Sequence, residues 1–145
     1  YRGSGGINFA IYKNEKIFGC TAHLMNNKID NGKIISVRRF DFDQNANLLL
    51  SIKKTHYELL NLFKDIINGI YKNDQKFIYE NLEISKNIKW GNKLYKTKDI
   101  DELQKIDTTF SKKKIQQIIN ATHIDGHYPY INVKGFKFIL KDYKS

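Results

Sequence analysis

The 145 residues predict a mixed α/β chain, and three patterns carry that reading. Two alternating runs, Ile17 to Met25 and Lys33 to Phe42, have the two-residue period of strands. Asn47 to Tyr71 repeats its apolar residues at three- and four-residue steps, the period of a helix. A last pair of short runs, Tyr130 to Val133 and Phe136 to Leu140, flanks Lys134-Gly135 as a two-residue hairpin does. A chain of this length buries one core, with room for a small attachment.

The elements follow in order. Tyr1-Arg2-Gly3-Ser4-Gly5-Gly6 is turn-rich and leads into a short helix over Ile7 to Tyr12, with Asn14 near its stop. In the first strand Phe18, Cys20, Ala22 and Leu24 share one face, and Thr21, His23 and Met25 the other. Asn26-Asn27-Lys28 and Asn31-Gly32 are loop signals around Ile29-Asp30. The second strand exits through Arg38-Arg39-Phe40-Asp41, a charged end that suits an edge. The long helix carries a stripe of Leu48, Ile52, His56, Leu59, Phe63, Ile66, Ile67 and Ile70, which predicts a core-facing side and puts His56 at the core or its boundary. Lys72 to Lys96 reads as irregular, with Trp90 anchoring it to the core. Asp99 and Ser111 are candidate caps for two short helices, with Glu102 three residues after Asp99.

The composition narrows the function classes. Lys and Arg number 25 against 15 Asp and Glu, a formal net charge of +10 that favours anionic partners. The lysines are spread along the whole chain, so the excess reads as a general bias rather than a dedicated nucleic-acid face. One cysteine, Cys20, excludes an internal disulfide and a thiolate zinc cluster, and it is expected buried and inert. No apolar run approaches a bilayer span, and the expected location is cytoplasmic. His123 and His127 are four residues apart near Asp125, but Gly126 and Pro129 oppose the helix such a metal pair needs, so no metal site is expected.

The chemistry concentrates between Gly19 and Lys33. A strand bearing His23 runs into a polar loop that presents Asp30 beside Asn31-Gly32. Asp next to Asn-Gly also makes an ordinary turn, so this segment alone leaves both readings open. Three segments in order resolve them. Tyr1-Arg2-Gly3 with Ile7-Asn8-Phe9-Ala10-Ile11, then Gly19 to His23 with Ile29 to Ile35, then Ile119 to His123 with Gly126 to Ile131 and Gly135 to Phe138, together resemble the formyltransferases that use 10-formyl-tetrahydrofolate.

That resemblance implies the C-terminal part of a Rossmann-like formyltransferase domain over residues 1–88, followed by a small helix and β-hairpin attachment over 89–145. It implies transfer of a formyl group from 10-formyl-tetrahydrofolate to a primary amine. Such chemistry needs an oxyanion stabiliser, a group that manages the amine proton, and a carboxylate that orients it. Asp30 matches the family's catalytic aspartate, and His23 a histidine close to the catalytic centre or a half-buried strand residue. Met25, Asn26, Asn27, Lys28 and Ile29 match the loop that wraps the pterin. Tyr1, Arg2, Gly3 and Asn8 are the candidate substrate contacts. The family's Asn-x-His motif would precede Tyr1, and without it this segment is expected to be inactive. The short tail favours an amino sugar on a nucleotide as substrate over methionyl-tRNA, whose enzymes carry a full C-terminal barrel. A homodimer is left open. A non-catalytic basic module binding RNA or protein is the reading from another class.

Overall fold

The computed structural model describes residues 1–43 and 46–142. Its elements run β1 (Arg2–Gly3), α1 (Gly6–Tyr12), β2 (Ile17–His23), β3 (Ile34–Asp41), α2 (Leu48–Ile84), β4 (Leu94–Tyr95), α3 (Thr97–Leu103), β5 (Lys105–Ile106), α4 (Lys112–Thr122), β6 (Tyr130–Val133) and β7 (Phe136–Ile139). The chain is mixed α/β, with three small sheets: β1 parallel to β4, β2 antiparallel to β3, and β5-β6-β7. Residues 143–145, the end of the 89–145 stretch, lie outside the described residues, as do 44–45.

The centre of the molecule is Ala10, Ile11, Phe42, Leu48 and Ala121, with Phe18, Phe40, Leu103 and Ile124 packed around them. Segments from both ends of the chain therefore share one core. The Asn8 amide donates to the Ala121 carbonyl at 2.7 Å and ties α1 to α4. Stacking of Phe9 on Tyr95, with centroids 4.0 Å apart, holds β4 against α1.

Helix α2 starts at the expected place, where the Asn47 side chain accepts from the Leu50 amide at 3.0 Å. Its orientation corrects the sequence reading. Of the expected stripe Leu48 is buried, Ile52 packs on the core, and Ile66 and Ile70 are half-buried, whereas Leu59, Phe63 and Ile67 are 46%, 60% and 48% exposed and His56 is exposed. The side turned to the sheet holds Leu48, Ser51, Thr55, Glu58 and Leu62. Cys20 and Arg38 are opposite each other in the β2–β3 register, and Arg38 rises from the sheet toward α2. Its guanidinium pairs with Asp65 and lies 3.7 Å from Glu58, which Lys54 also engages at 2.8 Å. These contacts bring Glu58 to the sheet-facing side of the helix, beside Leu48 and Leu62. Small Ser51 and Thr55 permit close approach, and the Thr55 hydroxyl is satisfied by the Ser51 carbonyl at 2.8 Å.

The region expected to be irregular from Lys72 is helical through Ile84. The helix is interrupted at Asp74, with φ 53° and ψ −148°, and the second half folds back so that Phe77 lies on Gly69. A Cβ at Gly69 would come within 2.3 Å of that ring. The φ/ψ pair of Asp74 lies outside the left-handed helical well that Asp tolerates, so the turn at this single position is strained. The return brings the Ser85 hydroxyl to the Ile35 carbonyl at 2.9 Å.

In α3 the expected cap moves by three residues. Lys96 occupies the N-cap position, and Asp99 reaches back to accept from its amide at 2.7 Å. Ser111 caps α4 as expected. Lys134 and Gly135 both take positive φ, 48° and 87°, and close the β6–β7 hairpin in two residues.

Candidate functional site around Asp30 and His23

Strand β2 delivers His23 to the end of the sheet, where a register irregularity between Ala22 and His23 re-aims the side chain. The chain then leaves into the 24–33 loop, closed at its base by the Leu24 amide donating to the Lys33 carbonyl at 2.9 Å. Gly32 is required there, because a Cβ would fall 1.6 Å from the Leu24 carbonyl oxygen. The expected strand over Ile17 to Met25 thus ends at His23, two residues early.

Asp30 sits on this loop with φ 44° and a half-buried side chain. Its Oδ2 accepts from the Gly3 amide at 2.6 Å. The other oxygen, Oδ1, lies 3.8 Å from His23 Nε2. His23 Nδ1 is 2.9 Å from the Leu24 carbonyl, which only accepts, so Nδ1 carries the proton and donates. In that tautomer Nε2 is the free acceptor of the ring, 3.8 Å from the carboxylate and beyond direct hydrogen-bond range.

Arg2 fixes the loop from below. Its Nε donates to the Asp30 carbonyl at 2.8 Å, and a terminal nitrogen donates to the Ile29 carbonyl at 3.2 Å and Asn31 Oδ1 at 3.4 Å. Gly3 takes φ 78° with no room for a side chain, since a Cβ would lie 2.1 Å from the Tyr95 carbonyl oxygen. The two residues that follow Tyr1 thus hold the carboxylate and its backbone together. Tyr1 packs on Phe18 and Tyr95 and donates to Glu15 at 2.9 Å; burial and that carboxylate both push its phenol up. Asn8 lies away from this group, on the α1–α4 contact.

Met25, Asn26, Asn27, Lys28 and Ile29 form the exposed approach to Asp30, with Met25 92% exposed and Ile29 68%. A turn closed by the Lys28 amide donating to Asn26 Oδ1 at 2.9 Å shapes it. Trp90 is the contributor that the sequence did not reveal. Its indole N–H donates to the Gly32 carbonyl at 2.8 Å, and its ring stands edge-on to His23 at 5.0 Å. It anchors the segment after α2 to the 24–33 loop rather than to the core. No local pattern marks this, although a lone tryptophan in a polar stretch is a signal of some contact.

A cavity of about 340 Å³ opens on the same face of the β2–β3 sheet, lined among others by Gly3, Thr21, Arg39, Lys89 and Trp90. It adjoins Asp30 through Gly3, though Asp30 does not itself line it. Among the described residues no cluster of His, Cys, Asp and Glu could hold a metal ion. Cys20 is buried, and burial pushes its thiol up. The His123 ring meets the Lys141 carbonyl at 3.1 Å. Among the described residues no helix is long and apolar enough to cross a membrane.

No protein-family model and no curated protein matches the chain. Solved structures do. A sugar N-formyltransferase from a Shewanella species superposes with a TM-score of 0.71 at 21% identity, over 97% of this chain and 55% of that one. HypX from Aquifex aeolicus in complex with tetrahydrofolic acid gives 0.60 at 17% identity, over 97% and 23%. Methionyl-tRNA formyltransferase from Clostridium thermocellum gives 0.53 at 15% identity, over 94% and 54%. The chain spans between about a quarter and a little over half the length of these proteins, and its fold is that of the corresponding part of a formyltransferase.

Proposed function

We propose that this chain supplies part of a site that transfers a formyl group from 10-formyl-tetrahydrofolate to a primary amine, an amino sugar carried on a nucleotide being the best candidate. One observation carries the reading. A carboxylate on a loop residue of positive φ is held by a backbone amide on one oxygen and has a histidine nitrogen 3.8 Å from the other. A plain surface turn needs neither restraint.

The residues present fit a folate. Met25 and Ile29 offer apolar surface, and the irregular loop between them exposes backbone groups to which a pterin edge can hydrogen-bond. When bound, the co-substrate supplies an electrophilic formyl carbon. Asp30 or His23 would then accept the proton that the amine nitrogen gives up as its new bond to carbon forms, and would return it to the folate nitrogen that departs. Arg2 and Gly3 keep the carboxylate in place through that exchange. Arg39 and Lys89, on the neighbouring cavity, offer positive charge to a diphosphate, and Trp90 an aromatic face to a base. The oxyanion-stabilising Asn-x-His motif of the family does not occur in these 145 residues, so turnover is expected to require it from elsewhere.

Two measurements test this. Trp90 is the sole tryptophan and lies against His23, so titrating the chain with tetrahydrofolate should change its fluorescence saturably. In the natural protein that contains these residues, formyl transfer to an amino-sugar nucleotide should occur and should fail in Asp30→Asn. Transfer to methionyl-tRNA alone would move the substrate assignment. No response to folate, with tight and salt-sensitive RNA binding, would replace the reading by the basic module.

A further inference from the structure

His23 stands beside a carboxylate and yet turns its proton away from it. Asp30 Oδ1, 3.8 Å from Nε2, favours the tautomer whose proton sits on Nε2 and faces the negative charge. The ring instead donates from Nδ1 to the Leu24 carbonyl at 2.9 Å. Leu24 follows directly as the chain leaves β2, so its carbonyl keeps that proton only while its peptide is held.

Two contacts hold it. On the amide side Leu24 donates to the Lys33 carbonyl at 2.9 Å. On the other side the Gly32 backbone lies against the acceptor: a Cβ at Gly32 would fall 1.6 Å from the Leu24 carbonyl oxygen and 3.1 Å from His23 Nδ1. Gly32 is in turn pinned through its own carbonyl by the Trp90 indole N–H at 2.8 Å. The indole also stands at 87° to the imidazole with centroids 5.0 Å apart, where it obstructs rotation of the histidine ring.

Trp90 is delivered from outside this group. The Ser85 hydroxyl donates to the Ile35 carbonyl at 2.9 Å, and the Ile88 amide donates to the Ser85 carbonyl at 2.9 Å, which docks the 85–90 segment on the start of β3. Cavities of about 340 Å³ and 290 Å³ both border Trp90. Packing alone therefore leaves the indole room to move, and the bond to Gly32 decides where it stays.

We propose that Trp90 is a positioning residue for His23: by pinning Gly32 behind the Leu24 carbonyl, it keeps the ring proton on Nδ1 and leaves Nε2 an open acceptor beside Asp30. The consequence for turnover rests on the formyl-transfer reading; the geometry does not. With Nε2 open, the ring can take a proton from an incoming amine. With the proton on Nε2 and turned to Asp30, the two groups occupy each other.

Nitrogen-15 spectra of the histidine rings read the tautomer directly, and His23→Gln identifies the signals of His23. At a pH where the ring is neutral, the wild-type chain should carry the proton on Nδ1. Trp90→Phe keeps an aromatic ring without the indole N–H, and should shift the tautomer ratio about three- to tenfold toward Nε2–H. Trp90→Ala, which also removes the ring, should shift it at least as far, and backbone amide spectra check that each variant is folded. In the natural protein that contains these residues, Trp90→Phe should lower kcat about ten- to a hundredfold while the KM for the folate stays within about twofold. A wild-type proton on Nε2 overturns the proposal without any variant. So does an unchanged ratio in folded Trp90→Phe and Trp90→Ala; a fall in turnover would then place Trp90 on the substrate. A ratio that moves while turnover holds supports the positioning and instead removes His23 from the proposed chemistry.

Discussion

The amide of Gly3 donates to Oδ2 of Asp30 at 2.6 Å, joining the first strand of the chain to the loop that bears the carboxylate. The bond separates a structural role for Asp30 from a chemical one. Asparagine keeps an acceptor for Gly3 and tolerates the positive φ at this position, so Asp30→Asn should hold stability within about 0.5 kcal/mol. Activity of the natural protein should fall about 10²- to 10⁴-fold, because the amide cannot carry the proton. Asp30→Ala removes the acceptor and should in addition cost about 1–3 kcal/mol in denaturant unfolding. Equal turnover in wild type and Asp30→Asn would remove the carboxylate from the chemistry.

Adjacent positions on α2 should respond oppositely to truncation. Leu62 is 4% exposed against the sheet and Phe63 is 60% exposed. Leu62→Ala should cost about 2–5 kcal/mol, and Phe63→Ser should fall within about 0.5 kcal/mol of wild type. Urea unfolding of the two variants decides which side of the helix meets the sheet. A larger loss at Phe63 would restore the orientation expected from periodicity.

Ser51 offers a gain. It is 2% exposed, and its hydroxyl is a buried side-chain oxygen with no hydrogen-bond partner. Ser51→Ala removes that unmet group at little change in volume and should raise stability by about 1 kcal/mol, read as a higher urea midpoint at constant slope. A lower midpoint would mean that the hydroxyl has a partner in solution.

Two surface carboxylates predict local loosening in acid. Asp99 lies below the ordinary carboxylate range because it accepts from the Lys96 amide, and Asp107 because it accepts from the Thr109 amide and hydroxyl. A group whose folded pKa is depressed adds stability above its unfolded value and loses it as pH falls through the folded one. The start of α3 and the 107–109 turn should therefore be intact at neutral pH and open below the ordinary carboxylate value. The chemical shifts of the Lys96 and Thr109 amides, followed through an acid titration, report each site separately. Amides that stay unmoved through that window would contradict the assignment.

Local signals carried much of this structure. The hairpin turn, the Asn47 and Ser111 caps and the Asp30 loop all depend on residues close in sequence, so they can be read from it. The facing of α2 does not. Periodicity locates the apolar stripe but cannot say that Leu48 and Ile52 meet the core while Leu59, Phe63 and Ile67 stay exposed, nor that Arg38, on a distant strand, pairs with Glu58 and Asp65. The break at Asp74 was hidden because an isolated aspartate in a polar stretch looks the same in a loop and between two helices. Trp90 and Arg2 reach Gly32 and Asp30 across long separations, and only the folded chain brings them together.

Among the described residues strand β1 has a single β-partner, since Arg2 pairs with Leu94 and Gly3 with Tyr95 in the two-residue ladder to β4. The segment that aims the carboxylate is thus braced by residues some ninety positions downstream. A nick or insertion that unzips this short ladder would blunt Asp30 without touching its loop. The aim of one side chain is thus tensioned from a distant part of the sequence, as a bowstring is by its far nock.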